Sequence, residues 1–191
     1  MSHTIYVKNM VCPRCIQAVT QTFAELHEPP LTVALGEVSV QNLPSEAVNT
    51  QLNTALNQLG FELLSPGKTA LIAQIKSLII DQVHYQTAPL RINLSTYLAE
   101  QLHQDYSHLS RLFSSTEGIT IEKYLTAQKI ERVKELLTYE EQTLSEIAHQ
   151  LNYSSIAHLS AQFKKETGMT PTAFRKQKKH DRKTLDQVGN T

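Results

Sequence analysis

Apolar and polar residues alternate with a period of two over residues 4–8 (Thr-Ile-Tyr-Val-Lys) and again over 31–35 and 37–40, with Gly36 between the last two runs. Each stretch predicts a short strand, half buried on one face. Between them, Cys12 to His27 carries apolar positions at helical spacing and stops at Pro29-Pro30. Ser45 to Leu59 predicts a second helix, with Ser45 as N-cap and Gly60 as its C-terminal stop. Phe61–Leu64 supplies a last strand, and Ser65-Pro66-Gly67 then breaks the chain. The predicted order is strand, helix, strand, strand, helix, strand.

Beyond Gly67 the period-two signal disappears. Lys68 to Gln86 predicts one helix with a broad apolar face of Leu71, Ile72, Ile75, Leu78, Ile79 and Val83, ended by Pro89. From Asn93 to about Gln177 short helices follow one another. Part of this stretch is a repeat. Leu98-Ala99-Glu100-Gln101-Leu102 parallels Ile147-Ala148-His149-Gln150-Leu151. One residue out of step, His108, Leu109, Ser110, Phe113, Gly118 and Thr120 then parallel His158, Leu159, Ser160, Phe163, Gly168 and Thr170. The slip falls between helices, where a turn absorbs it. A helix over Ile121–Leu137 joins the copies.

In each copy a first helix packs through Leu98/Leu102 or Ile147/Leu151. After a turn, a second helix starts at Asp105 or Ser155, either a good N-cap. Leu109, Leu112 and Phe113 share one face of that second helix, as do Leu159 and Phe163, which leaves the opposite face outward. Thr170-Pro171 restarts the chain as N-cap and first-turn proline. The stretch from Leu144-Ser145-Glu146-Ile147-Ala148 through Phe163 to Gly168-Met169-Thr170-Pro171, ending at Phe174-Arg175, resembles the AraC/XylS family of transcription regulators, and the resemblance covers roughly residues 68–177. It implies an all-α domain with two helix-turn-helix units on a rigid connecting helix, able to hold two recognition helices about one DNA turn, roughly 34 Å, apart. A helical repeat that only packs, or binds protein, stays open beside it.

The resemblance implies base contacts from Ser107, Ser110 and Arg111 of the first unit, with Ser114 on the same outward face. Arg111 is the leading candidate, because a guanidinium bonds guanine N7 and O6 together. His108 flanks that face, and Tyr106 either reaches a phosphate or packs. In the second unit the facing positions are Ile156, Ala157, Ser160 and Ala161, with Ser155 at the helix start. Alanines touch a thymine methyl but form no hydrogen bonds. Lys164, Lys165 and Arg175 are candidates for phosphate contacts, which position without specifying. The expectation is that unit one reads bases and unit two anchors.

Asn9-Met10-Val11-Cys12-Pro13-Arg14-Cys15 stands where the first strand gives way to the first helix. Two cysteines at this spacing can bind one soft cation, and copper(I) suits two thiolates where structural zinc normally needs four ligands. Met10 reads as core. Arg14 and the helix start both favour thiolate, which suits a redox switch as well. The motif and element order resemble the heavy-metal-associated domain of copper chaperones over about residues 1–65. Pro13 and Arg14 depart from the small residues usual between the cysteines there. Metal ligand, redox sensor and retained structural pair remain open for Cys12 and Cys15.

Composition narrows the picture. The 191 residues carry 18 basic and 18 acidic side chains, a net charge of zero. Residues 1–66 nevertheless hold two basic against five acidic groups, while 163–183 hold eight against two. The basic end either attracts phosphate or is a solvated tail. No run approaches the roughly 18 apolar residues of a membrane span, and Met1–Lys8 lacks a signal-peptide pattern. The expected location is the cytoplasm. No phosphate-cradling glycine loop, nucleophile–base pair or carboxylate-rich metal motif points to an enzyme. His84, His103 and His149 read as surface or packing residues.

The resulting expectation is an α+β chain. A ferredoxin-like βαββαβ domain (1–65) precedes an AraC-type DNA-binding domain (66–178) with two helix-turn-helix units and a basic, disordered tail (179–191). Its expected partners are double-stranded DNA and a soft metal ion such as copper(I), with no membrane, the chain acting as a monomer or weak dimer. The competing class is a metal-binding or metallochaperone-like adaptor whose helical half docks a protein.

Overall fold

The computed structural model describes residues 2–64, 67–86, 90–139 and 142–177, together with Leu185 and Val188. Its contacts form two compact units, Met1–Leu78 and Ile79–Thr191.

In the first unit, β1 (His3–Lys8), α1 (Pro13–Glu25), β2 (Thr32–Ala34), β3 (Glu37–Val40), α2 (Glu46–Gln58) and β4 (Glu62–Leu64) follow in the predicted order. The four strands form one antiparallel sheet ordered β2-β3-β1-β4, with Ile5 opposite Val38 and Val7 opposite Leu63. Alternation along the strands puts Val7, Val38 and Val40 on one face. There they bury with Val19 and Phe23 of α1 and Leu52 and Leu56 of α2. Full burial of such side chains stabilises the fold by about 1.5–3 kcal/mol each. Ser45 caps α2 by accepting from the Val48 amide at 3.4 Å. α1 ends earlier than its apolar pattern, because His27 turns left-handed at φ 60°.

The other face of the sheet is also covered. Tyr6 and Leu64 pack on Ala70 and Ala73 of α3 (Lys68–Ile80). Most of α3 therefore belongs with the sheet, and the compact units part inside this helix rather than at residue 66, where the sequence pattern breaks. Gly36 makes the approach possible. It sits at φ +87°, and a Cβ there would lie 2.5 Å from Ser77 Oγ.

In the second unit, the helix expected to run through Gln86 changes pitch to a π-helical turn over Asp81–Tyr85. The Gln86 amide donates to the Asp81 carbonyl at 3.1 Å, and its side chain donates to Asp81 Oδ2 at 2.7 Å. The wider turn lets both Val83 and His84 bury. Pro89, expected to end this segment, lies outside the described residues. α4 (Leu94–Leu102), α5 (Tyr106–Glu117), α6 (Ile121–Tyr139), α7 (Leu144–Gln150), α8 (Ile156–Thr167) and α9 (Pro171–Arg175) complete the unit. The joining helix α6 has 19 residues and spans about 28 Å.

His84 is not a surface group. It is buried, with Nε2 3.0 Å from Gln128 Oε1 and Nδ1 3.8 Å from Glu135 Oε2. Gln128 in turn donates to the Tyr124 hydroxyl at 3.0 Å and to the Leu185 carbonyl at 3.3 Å. Most of the expected tail lies outside the described residues, but Val188 within it is buried and Leu185 takes that hydrogen bond. Both facts differ from a free solvated tail. Among the described residues, no helix is long and apolar enough to cross a membrane.

Gly36→Ala should lower stability by at least the roughly 1–2 kcal/mol of a left-handed non-glycine residue, with a further loss from the Ser77 clash. Urea unfolding of the full chain measures it. An unchanged midpoint would mean that α3 does not press on this turn.

Candidate nucleic-acid interface

Two helix pairs, α4–α5 and α7–α8, repeat the same packing. Leu98 and Ile147 anchor the first helices, both fully buried. Each first helix gives way to a left-handed residue, His103 at φ 50° and Asn152 at φ 57°. The one-residue slip therefore lies after Asn152 and before the N-cap Ser155, inside the turn. α7 starts with a capping box, in which Thr143 and Glu146 satisfy each other's backbone amides.

The second helix of each pair is held by its inner face. Leu109 and Phe113 of α5 and Leu159 and Phe163 of α8 are all completely buried. Each phenylalanine meets an aromatic ring of the following helix edge-on: Phe113 with Tyr124 at 5.6 Å, Phe163 with Phe174 at 5.5 Å. Such pairs add about 0.5–1.5 kcal/mol beyond burial. Gly118 and Gly168 end both helices at φ 72° and 81°. Thr120 and Thr170 then cap the next helices, accepting from the Lys123 and Ala173 amides, each at 3.2 Å. The duplication thus runs further than the sequence match to Thr120/Thr170, through Tyr124/Phe174. A chemical rather than identity match, aromatic to aromatic, was the available signal.

With the inner faces fixed, the outer faces are set. On α5, Ser107, His108 and Arg111 are exposed and Ser110 and Ser114 half-buried. Arg111 Nε donates to the Ser107 carbonyl at 3.2 Å, which holds the guanidinium along the helix. On α8, Ala157, Ala161, Lys164 and Lys165 are exposed and Ser160 half-buried. Ile156 is 43% exposed at the start of that helix. The structure therefore brings Ser107, Ser110, Arg111 and Ser114 onto one face, and Ala157, Ser160, Ala161 and Lys164 onto the matching face of the second unit. The two lysines lie in the last turn of α8, where the helix dipole favours cations.

Four of the expected contact residues have partners within the protein. The Tyr106 hydroxyl donates to the Glu122 carboxylate. Burial and this bond push the Tyr106 phenol well above its ordinary value, and the bond holds Glu122 below the usual carboxylate range. Tyr106 thus packs and ties α5 to α6. Ser155 Oγ accepts the His158 amide at 3.0 Å as the N-cap of α8. Asp105 occupies the same position on α5 without a side-chain cap bond. Arg175 is half-buried and donates through Nη2 to the Gln142 carbonyl at 2.8 Å. That geometry clamps α9 to the start of α7. Arg111 stays exposed despite its bond to Ser107.

Cys12 forms the N-cap position of α1, and its Sγ lies 3.2 Å from that of Cys15. Both are half-buried, and Met10 is core, as expected. Burial pushes the Cys15 thiol up, outweighing the amide bond from Val11. The expectation that the helix start and Arg14 favour thiolate is therefore corrected for Cys15: exposed Arg14 does not offset the apolar surroundings. Among the described residues, no third His, Cys, Asp or Glu joins the pair.

Residues 98–177 match the model of a helix-turn-helix domain family. An uncharacterized HTH-type transcriptional regulator of Staphylococcus aureus is 36% identical over 78 residues, 41% of this chain. The uncharacterized HTH-type transcriptional regulator YfiF of Bacillus subtilis is 28% identical over 120 residues, 63% of this chain. The chain covers 10% of the first relative's length and 36% of the second's. Among solved structures, the C-terminal domain of AraT, a response regulator from Geobacillus stearothermophilus, is similar with a TM-score of 0.50 and 28% identity. That match covers 63% of this chain and 93% of that domain. The two relatives are named as HTH-type transcriptional regulators, and the solved domain belongs to a response regulator.

Tyr106→Phe should raise the Glu122 carboxyl toward the ordinary value and loosen α5 on α6. The folded Glu122 value lies below the unfolded one, about 4.3. Its contribution is present above that value and lost as pH falls through the folded one. The variant's deficit in urea midpoint should therefore be larger at pH 7 than at pH 3, with the carboxyl followed by carbon NMR. An equal deficit at both would exclude the charged pairing.

Proposed function

We propose that residues 98–177, which match a helix-turn-helix domain family, form an AraC-type DNA-binding domain, and that the chain is a sequence-specific transcription regulator of double-stranded DNA. The observation that carries this reading is the pair of outward faces left by identical inner anchors, Leu109/Phe113 and Leu159/Phe163. A second helix pinned in this way presents its outer side to the major groove.

The two faces divide the work. Arg111, with Ser107, Ser110 and Ser114 beside it and His108 at the flank, reads bases from the first unit. Ala157 and Ala161, with Ser160 between them, offer methyl contact alone. Exposed Lys164 and Lys165 neutralise phosphates and hold the second unit in place. Arg175, Tyr106 and Ser155 support these faces from within. The adaptor reading is not favoured: the family match falls on the helical repeat, and that repeat accounts for the exposed alanine face.

The order of elements and the β2-β3-β1-β4 sheet support a ferredoxin-like first domain of the heavy-metal-associated kind. In this reading Cys12 and Cys15 hold a soft cation such as copper(I), and its binding, or oxidation of the pair, alters DNA affinity. Two converging thiols with no third ligand among the described residues suit a cation content with two sulfurs.

Binding should be measured on DNA upstream of the protein's own gene, at a series of stated salt concentrations, against a scrambled duplex. Arg111→Ala should lose about 1–3 kcal/mol on the matched site and relax discrimination. Lys164→Ala should weaken both duplexes alike and reduce the salt slope by about one. Equal loss on both duplexes for Arg111→Ala would remove it from base reading, and absent salt dependence would remove DNA as partner.

Copper(I) under reductant should shift the affinity of the wild-type chain, and Cys12→Ser should abolish the shift. A shift retained in Cys12→Ser would exclude the cysteine pair as the input.

A further inference from the structure

The second unit contains a cleft of about 160 Å³ that the DNA-facing surfaces do not use. Its wall is shared by the π-helical turn, the start of α4, the middle of α6 and the end of α7. Leu94 of α4, Leu125 of α6 and Leu151 at the C-cap of α7 supply an apolar lining. Lys129, one turn along α6 from Leu125, lines the same cleft.

The Lys129 amine has an unusual setting. It lies 5.2 Å from the centroid of the Tyr153 ring, a cation–π distance, which holds it in place. Among the described residues no carboxylate partners it, and burial alone pushes it below the ordinary lysine value. A charge held away from water without a counter-ion is costly. Four carboxamide residues, Gln82, Asn93, Gln150 and Asn152, line the cleft with Lys129. Asn93 stands at the N-cap of α4 with no side-chain cap bond, so its amide group is not spent on the helix.

We propose that this cleft binds a small amphipathic monocarboxylate, its carboxylate paired with Lys129 and its hydrocarbon body against Leu94, Leu125 and Leu151. The volume sets the size. A cavity of about 150 Å³ takes up benzene, so a body of about six carbons fits, and the carboxylate projects to the rim. The anion supplies the counter-charge that Lys129 lacks, and the carboxamides offer donors to its second oxygen. An occupant touches the first helix of both helix-turn-helix units and the helix that joins them. The site does not depend on the DNA-binding reading.

The test uses the full chain without DNA, so its failure and failure of the DNA reading are separate results. Benzoate and hexanoate are titrated by calorimetry and by methyl NMR, with benzyl alcohol as the uncharged match. The expected result is saturable carboxylate binding, with shifts centred on the Leu94, Leu125 and Leu151 methyls and at least tenfold weaker binding of the alcohol. Lys129→Met keeps the side-chain length over Tyr153 and should weaken benzoate at least tenfold. Equal binding of alcohol and acid would overturn the proposal, as would unchanged affinity in a folded Lys129→Met. The alcohol comparison needs no variant, so it decides the matter if Lys129→Met does not fold. Absence of saturable shifts at these methyls would overturn it outright.

Discussion

Everything outward in the helical domain depends on one packing constraint: a leucine and a phenylalanine, four residues apart, sealed completely beneath each second helix. Leu109 with Phe113, and Leu159 with Phe163, leave neither α5 nor α8 free to rotate about its axis. The edge-on rings of Tyr124 and Phe174 close those seats from the following helix. A rotation that freed Arg111 from its exposed position would also expose a phenylalanine, at about 1.5–3 kcal/mol. The orientation of the polar face therefore follows from the core.

The same scaffold carries two different surfaces. Identical anchors, glycine stops and threonine caps occur in both units, yet Arg111 in the first corresponds to Ala161 in the second. Serine at 107 corresponds to alanine at 157. Packing fixes where these positions point and is indifferent to what they carry. The duplication can therefore hold one face rich in hydrogen-bond donors and another that is mostly alanine, with one serine and lysines at its end. The Tyr106–Glu122 bond marks the same divergence within the frame, since Ile156 and Thr172 stand at the corresponding positions.

The sheet unit rests on a second constraint, the close approach of α3 to the turn at Gly36. With α1 and α2 on one face and α3 on the other, the short strands are covered on both sides. This also explains why Tyr6 and Leu64, on the opposite side from Val7 and Leu63, are still drawn into contact with apolar residues. The cysteine pair is positioned by the same local logic. Asn9 takes a left-handed conformation at φ 69° and donates to the Gly60 carbonyl at 2.9 Å, fixing the loop from which Cys12 opens α1.

Much of this was legible from residue order, because alternation, helical spacing, caps and glycine stops are local signals. The βαββαβ order, the two helix pairs and the exposure of Arg111, Lys164 and Lys165 all follow from such patterns. The sequence by itself also placed the repeat, since a buried Leu/Phe pair tolerates little change. Other features depended on partners distant in the chain, which no local pattern encodes. Arg175 turned inward because the Gln142 carbonyl lay within reach, and Tyr106 turned toward Glu122. The Cys15 thiol was pushed up because packing, rather than the helix start, governed its surroundings. His84 was buried because a π-helical turn brought it to Gln128, 44 residues away. The cleft at Lys129 exists only where three helices and a turn converge. Periodicity tells which face of a helix is apolar; tertiary packing decides which polar groups are left for a ligand and which are already bonded.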